Sequence, residues 1–531
     1  MLRPALTEPD ASNSQPEPDR LNAKQRILLL GWQGTLAPDV PDASQDDTSA
    51  QAPFHFVADE ALSRLTALAP SDLLRCGGSA LPVDQLLLPL VHRCMGIAAA
   101  VAGSDGNVNP ADLLRTHPRA VRWVESATKQ WVTATLLFLE RLHSEAERLA
   151  AWLGENRLPP IATLSPANSD LHDAGGPSIR IAFASGLAIF YKPRPVTGEL
   201  LWYQLTRQTA AVDAACKIPA ARVLAGNGRP VERDRYGWME SLASPAPGLI
   251  DEAEYWKRAG SLLCHAHVAC LTDLHMSNIV ATSEGPAVVD AECLGTPVAD
   301  AAMVPADVAS AAAILSQQLL ATGLLPHSTS WELPDVSGLF GKAAATSQIL
   351  VPSWKFPTAG SPSLTFTPSR LLEQQNRSGD SSPLVCLPHL VEGFRRAAHA
   401  LIETRSALLA PGGWLEWVEK THAARVVLRS TLDYGFRMSE VLVSAPQDSP
   451  AQSKAPVAAI LDEETGSVNR LLVPGFVSPP GSRDIASGGG RILAERAFAV
   501  TAAESIRMRL SSLSANELDS SLLAALALPL L

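Results

Sequence analysis

The stretch Thr272–Glu292, TDLHMSNIVATSEGPAVVDAE, constrains this chain more than any other. Asp273, His275 and Asn278 come first, at close spacing. Two short apolar runs follow, Ile279–Ala281 and Ala287–Val289, with Ser283-Glu284-Gly285-Pro286 between them. Apolar run, turn residues and apolar run are the pattern of a hairpin. Asp290 and Glu292 come directly after it. A hairpin returns the chain to its starting end, so the acid, imidazole and amide before it should meet the carboxylates after it.

An Asp, an Asn five residues on and a further Asp beyond a hairpin is the arrangement that kinase-like folds use for phosphoryl transfer. The first Asp takes the substrate hydroxyl proton, while the Asn and the last Asp hold Mg²⁺. Taken alone, D-x-H-x-x-N also fits a polar surface loop. Other clusters bear on the choice. Ser178–Ala184 alternates, with Ile179, Ile181 and Phe183 on one face, and Ser185-Gly186 is a turn. Leu187–Lys192 is the predicted partner strand, with Ala188, Phe190 and Lys192 on one face. Lys192, in Tyr191-Lys192-Pro193-Arg194, can pair with ATP phosphates or simply be a solvated strand end. Glu199, in the helix predicted from about Gly198 to Ala211, is its candidate partner. Asp170 and His172 precede the first strand, followed by Gly175-Gly176. Glycines let backbone N–H groups approach phosphate closely, although the same residues suit an ordinary loop.

The segment HAARVVLRSTLDY carries Arg425, Arg429, Thr431 and Tyr434. The spacing of four predicts that Arg425 and Arg429 share one helix face, from which they would clamp a phosphate bidentately. An exposed basic face is the alternative. On an unbroken helix Thr431 faces elsewhere. Cys264, His265, His267 and Cys270 fall within one predicted helix, where Cys264 and Cys270 point apart. Packing roles for the two His follow, and no zinc is expected there. Gly488-Gly489-Gly490 is not a phosphate loop, because no Lys-Ser/Thr follows.

Composition bounds the classes. With 531 residues, 46% hydrophobic and 18% charged, the chain can bury a large core and has length for roughly three domains. The net charge of −11 argues against a general nucleic-acid or anionic-membrane binder. Seven scattered Cys imply no pairing and suit a reducing cytoplasm. No signal core stands in residues 1–26, and no apolar run approaches the roughly 20 residues of a spanning helix. The expectation is a cytoplasmic protein with no transmembrane segment.

The pattern predicts an α+β chain, mainly helical, in four parts. Residues 1–53 form a disordered or polar segment. Residues 54–160 are helical, with Ala61, Leu65 and Leu68 on one face and Leu136, Leu139 and Leu142 on another. Residues 161–245 are richer in strands and include a short strand at Tyr236–Glu240. Residues 246–531 are mostly helical. They open on a helix from Glu254 to Cys270 with a stripe of Ala259, Leu262, Leu263, Ala266 and Cys270. Pro- and Ser-rich loops are expected at 351–369, 444–456 and 477–490, and an amphipathic helix over 495–526. No repeat of 20–50 residues is visible.

In order along the chain, these clusters resemble the dehydratase region of the class II lanthipeptide synthetases, the LanM type. The residues that carry the resemblance are Asp170/His172, Tyr191–Arg194, Tyr236-Gly237-Trp238-Met239-Glu240, Asp273/His275/Asn278, Asp290/Glu292 and Arg425/Arg429/Thr431/Tyr434. Weaker echoes are Thr322-Gly323-Leu324-Leu325-Pro326, Asp335-Val336-Ser337-Gly338-Leu339, Gly393-Phe394 and the tail. Two departures stand out. Val473-Pro474-Gly475-Phe476 replaces the family's usual Asp-Ile-Pro-Tyr-Phe, and Pro177 stands where a basic residue is common.

The resemblance implies a lipid-kinase-like, two-lobed dehydratase fold with additional N-terminal helices, residues 161–245 and 246–531 being the lobes. It implies ATP and Mg²⁺ as cofactors and a ribosomal precursor peptide with a leader as partner, with no nucleic acid. Ser and Thr hydroxyls are phosphorylated, and the phosphate is then eliminated to leave dehydroalanine or dehydrobutyrine. In that scheme Asp273 is the base, worth about 10²–10⁴ in rate. Asn278 and Asp290 hold Mg²⁺ with Glu292 in support, and Lys192 binds ATP phosphates and then the leaving group. Arg425 and Thr431 bind the departing phosphate, His275 assists elimination, and Asp170 and His172 shape the site. The family's cyclase would begin where this chain ends, and the last Cys is Cys386. A linear product and a separate cyclase are therefore expected. Two alternatives stay open: a phosphotransferase without elimination, and a degenerate module that binds a leader peptide.

Overall fold

The computed structural model describes residues 54–102, 109–167, 171, 176–226, 236–243, 251–297, 318–326, 337–340, 348–355, 363–370, 383–429, 431–443 and 457–513. Everything below concerns those residues. The expected polar segment at 1–53, the loop at 444–456, Asp170, His172 and the chain's last residues lie outside them. Helix predominates among the described elements and strands are short, in accord with an α+β, mainly helical class.

The N-terminal helices are α1 (His55–Leu68), α2 (Leu88–Ala102), α3 (Pro110–Thr116), α4 (Pro118–Ser144) and α5 (Ala146–Leu153). Of the face predicted for α1, Ala61 and Leu65 are buried but Leu68 is 61% exposed. Leu68 is the last residue of α1, and Ala69 is already extended, so the helical phase ends before Leu68 reaches the core. On α4 the prediction holds better: Leu139 and Leu142 are buried together with Phe138. Helix α2 corrects the hydropathy reading. The segment Val83–Ala102 is long and apolar enough to span a bilayer by length and composition alone. Its Leu90, Cys94, Ile97 and Ala98 are buried against the other helices, which a core helix does equally well.

These helices share one core with a five-stranded antiparallel sheet. Its strands are β1 (Ile161–Pro166), β2 (Ile179–Phe183), β3 (Ala188–Lys192), β4 (Val223–Ala225) and β5 (Gly237–Glu240), in the order β1-β2-β3-β5-β4. Alternation on β2 is as predicted: Ile179, Ile181 and Phe183 are buried. The sheet meets the helices through a polar centre. Glu145, buried between α4 and α5, accepts hydrogen bonds from the Tyr236 hydroxyl and, at 2.9 Å, from Trp238 Nε1. Arg141 lies over the Tyr236 ring and donates to the Tyr191 hydroxyl at 2.6 Å. The aromatic residues of two of the sequence motifs thus dock the sheet on the helices.

A second core is built on α6 (Thr197–Val212), α7 (Glu252–Val268), α8 (Pro383–Leu409), α9 (Trp414–Thr421) and α12 (Ala502–Ser512). The stripe on α7 is buried as predicted, but so are Cys264, His265 and His267. Helices α7 and α8 pack closely enough that glycine is needed on both. A Cβ on Gly260 would collide with the Leu390 carbonyl, and one on Gly393 with the Lys257 carbonyl. This gives the Gly393-Phe394 echo a packing role. His265 Nδ1 bonds Ser261 O at 2.7 Å, and burial lowers its pKa to about 4.

Two stretches expected as loops contain strands. Gln348–Lys355 (β8) pairs with Ser363–Arg370 (β9) in an antiparallel ladder. Within 477–490, Phe476–Ser478 (β11) and Ile485–Ser487 (β12) join Ala424–Arg425 (β10) and Ile492–Ala494 (β13) in a four-stranded sheet. Ser and Pro content suggested a loop there, but Phe476 and Ile485 are buried, and Ser478 and Ser487 are buried with them. The terminal helix begins later than predicted, at Ala502.

Candidate functional site

The opening stretch folds as predicted. Ile279–Thr282 (β6) pairs with Gly285–Val288 (β7), Ile279 opposite Val288, and both polar clusters emerge at the same end. Asp273 has a left-handed backbone, φ 63°, a strained conformation that Asp tolerates better than most residues. Its carbonyl accepts from Asn278 Nδ2 at 2.8 Å, and the same nitrogen lies 3.2 Å from His275 Nε2. His275 caps the short turn Met276–Asn278 by accepting from Ser277 N. Asp273, His275 and Asn278 therefore form one tied loop rather than separate side chains.

Two glycines make the floor of that loop. Leu274 N donates to Thr322 O at 2.9 Å, and Gly338 N donates to Gly323 O at 2.8 Å. A Cβ on Gly338 would collide with the Leu274 carbonyl, and one on Gly323 (φ 80°) would press on the Leu274 backbone. The weak Thr322-Gly323 and Ser337-Gly338 echoes thus hold the Asp273 loop from beneath.

Lys192 reaches the site from the end of β3. Its Nζ lies 2.9 Å from Glu199 Oε1 and 3.8 Å from Asp290 Oδ2, and donates to Val289 O at 2.5 Å. Glu199 sits in the first turn of α6, and Lys192 and Glu199 are both buried. Gly198 permits this approach: a Cβ there would collide with the Ala291 carbonyl. The expected Lys192–Glu199 pair is present.

Arg194 is the residue the sequence reading left without a role. Its Nη2 is 2.7 Å from Glu199 Oε1 and 2.6 Å from Asp290 Oδ2, and its Nε is 3.2 Å from Glu292 Oε2. The signal was available: Arg194 is two residues beyond Lys192, the spacing that keeps a face in extended chain.

The RxxxRxTxxY segment corrects a prediction. Arg425 and Arg429 do not share a helix face. Arg425 is on strand β10, paired opposite Val477, and helix α10 begins only at Thr431 (Thr431–Val443). Arg425 N donates to Glu292 O at 2.9 Å, and its Nε stands 3.9 Å from Glu292 Oε1. Arg429 turns away to Glu464, which is buried on α11 (Val457–Val468) and also accepts from the Tyr434 hydroxyl at 2.8 Å. The arginine pair is thus split. Arg425 belongs to the site, while Arg429 and Tyr434 hold a structural carboxylate. Thr431 is half-buried at the start of α10. Val473 N donates to Leu171 O at 2.9 Å, and Pro474 O accepts from Arg425 at 3.2 Å. Leu171 lies between Asp170 and His172, the two predicted residues that are not described.

The charges are unequal in effect. Burial raises the Asp273 carboxyl to about 6; Glu292 and Asp290 add to this, and His275 and Arg425 oppose it. Burial also works against charge on Asp290, but Arg194 and Lys192 outweigh it and hold the carboxyl well below its usual range. Glu292 is raised, chiefly by burial. Among the described residues no group of three or more His, Cys, Asp and Glu is placed to hold a metal unaided. Magnesium at phosphate sites takes one or two carboxylates, with phosphate and water completing the shell. The oxygen donors of Asp290, Glu292 and Asn278 fit that role.

The family described as domain of unknown function DUF4135 matches residues 117–470, a span that includes Lys192, Glu199, Asp273, Asp290 and Arg425. A protein of Lactococcus lactis subsp. lactis, described as the lacticin 481/lactococcin biosynthesis protein LcnDR2, is 22% identical over 215 residues. The alignment covers 38% of this chain and 23% of that protein, so the chain spans less than a quarter of the relative's length. The motifs found in order along the sequence lie mostly within the family's span, and the chain belongs to the DUF4135 family, with a resemblance to the dehydratase region of class II lanthipeptide synthetases.

Proposed function

We propose that the protein is a peptide Ser/Thr dehydratase of lanthipeptide biosynthesis, acting in the cytoplasm on a ribosomal precursor peptide. The observation that carries this reading is the hairpin that brings Asp273 and Asn278 to the end where Asp290 begins, Val289 N donating to Asn278 O, with the Lys192–Glu199 pair beside Asp290. The relative named for lacticin 481/lactococcin biosynthesis supports the substrate class. In this reading, strands β1–β5 and the α7–α9 core are the two lobes of a kinase-like arrangement.

Bound Mg·ATP would supply the phosphoryl group. Asn278 and Asp290 would hold the metal with Glu292 in support, and Lys192 would hold the phosphates. Asp273 accepts the proton of the peptide hydroxyl as its oxygen attacks phosphorus. A carboxyl raised to about 6 is a stronger base than an ordinary Asp and is still ionised at neutral pH. In the second step the peptide α-proton leaves and the C–O bond to phosphate breaks, giving the alkene and inorganic phosphate. Lys192 and Arg425 stabilise the departing anion, Thr431 contributes from the start of α10, and His275 assists proton removal.

Because Arg429 is bound to Glu464, the arginine pair read as a phosphate clamp is reduced to Arg425. That favours, as a second reading, phosphorylation without elimination. Purified protein, ATP, Mg²⁺ and a leader-bearing Ser/Thr/Cys peptide, followed by mass spectrometry, separate the cases. Loss of one water per modified residue is expected. A stable gain of phosphate selects the second reading, and an unmodified peptide overturns both.

A further inference from the structure

Three cations and three carboxylates meet around the site: Lys192, Arg194 and Arg425 with Glu199, Asp290 and Glu292. Arg194 alone touches all three acids. Both oxygens of Asp290 are engaged, Oδ2 by Arg194 at 2.6 Å and Oδ1 by Glu292 N at 3.2 Å. Resting on the reading of Asp290 as a magnesium ligand, we propose that Arg194 is an internal counter-cation that occupies the divalent-cation position and is released from Asp290 when the metal binds.

The remaining contacts make that release feasible. Glu199 keeps Lys192 at 2.9 Å, and Glu292 keeps Arg425 at 3.9 Å. All three carboxylates lose their nearest cation, but Glu199 and Glu292 each keep a second one, and at Asp290, where Lys192 stands 3.8 Å away, the incoming ion takes the place of Arg194. If Arg194 stayed, a divalent cation would add two positive charges beside three already present, in a half-buried site where repulsion is poorly screened. Pro193 and Pro195 flank Arg194 and fix the backbone on both sides. The motion is therefore one of side-chain rotamers, and the Arg194 side chain, 16% exposed, already borders solvent. Glu199 Oε2 is buried without a hydrogen-bond partner among the described residues, so the carboxylate can re-centre on Lys192 once Arg194 has left.

The test measures binding rather than turnover. Mn²⁺ is titrated into the full chain by electron paramagnetic resonance, alone and with a non-hydrolysable ATP analogue. Arg194→Gln should bind Mn²⁺ roughly ten- to a hundredfold more tightly than the wild type, the factor equivalent to one charge-assisted hydrogen bond given up. Equal or weaker binding overturns the inference. Asp290→Asn separates the two layers. If it leaves Mn²⁺ binding unchanged, the metal is not at Asp290, and the reading and the inference fall together. If it abolishes binding while Arg194→Gln has no effect, the reading stands and only the inference falls. Should Arg194→Gln not fold, the wild type decides by phenylglyoxal labelling mapped to Arg194. Mn²⁺ with the analogue should speed that labelling, and an unchanged or slower rate counts against release.

Discussion

Lys192 and Glu199 meet at 2.9 Å inside the protein, although a Pro-Arg-Pro turn separates the strand that carries one from the helix that carries the other. Burial makes the pair asymmetric in its consequences. Glu199→Gln would leave Lys192 and Arg194 short of a carboxylate in a dry site. Breaking a buried pair from one side costs roughly 3–5 kcal/mol. Urea unfolding of Glu199→Gln should show a loss of that order, and Lys192→Met combined with Glu199→Gln should recover part of it. Strict additivity of the two single effects would mean that the pair is not coupled.

Asp273 should set the acid limb of the pH–rate profile. Its carboxyl is raised to about 6 by burial, with help from Glu292 and Asp290. As a base it works only when ionised, so phosphorylation should fall about tenfold per pH unit below that value. The stability sign is opposite. Between 3.8 and about 6 the folded state holds a proton that the unfolded state has released, so stability falls as pH rises through that window. At neutral pH the charge costs on the order of 2–3 kcal/mol. Asp273→Asn should therefore unfold at higher denaturant concentration while neither phosphorylating nor dehydrating the peptide.

The split arginines should separate function from stability. Arg425→Ala should let phosphate accumulate on the peptide, because Arg425 faces Glu292 and the site. Thr431→Ala should act in the same sense. Arg429→Ala and Tyr434→Phe each remove a hydrogen bond to the buried Glu464, worth about 1.5–3 kcal/mol for a charged acceptor. Those two should lower the unfolding midpoint without changing the ratio of phosphorylated to dehydrated product. Phosphopeptide built up by Arg429→Ala would return it to the site.

Gly338 lies under the Asp273 loop and Gly393 between two helices, so alanine should act differently at each. At Gly338 the methyl meets the Leu274 carbonyl and crowds the Ile279 and Leu324 side chains, so the rigid backbone contact pushes on the loop that carries Asp273. Far-ultraviolet circular dichroism should be unchanged and kcat reduced by one to two orders, about what roughly 1 Å of misplacement costs. At Gly393 the methyl meets Lys257 O across the α7–α8 contact. Overpacking there should cost about 1–3 kcal/mol or more, seen as a lower thermal midpoint.

Period and turn chemistry alone specified the Ile279–Val288 hairpin, the strand ending at Lys192 and the buried stripe of α7. Each is local: a two-residue or 3.6-residue repeat records which face is buried wherever the partner lies. The hairpin also showed that Asp273, His275 and Asn278 would lie at the same end as Asp290 and Glu292, although D-x-H-x-x-N by itself fits a polar surface loop equally well. What the sequence could not settle was which charges pair. Arg425 and Arg429 look equivalent at a helical spacing. They part because Arg425 enters a strand whose partner, Phe476–Ser478, lies some fifty residues further along the chain. Arg194 carried no role in the sequence beyond its place in the Tyr191–Arg194 motif, and it becomes the hub of the site only when α6 and the Val289–Glu292 loop close around it. Pairing of charges depends on distances between remote segments, and only the packing of the two cores fixes those distances.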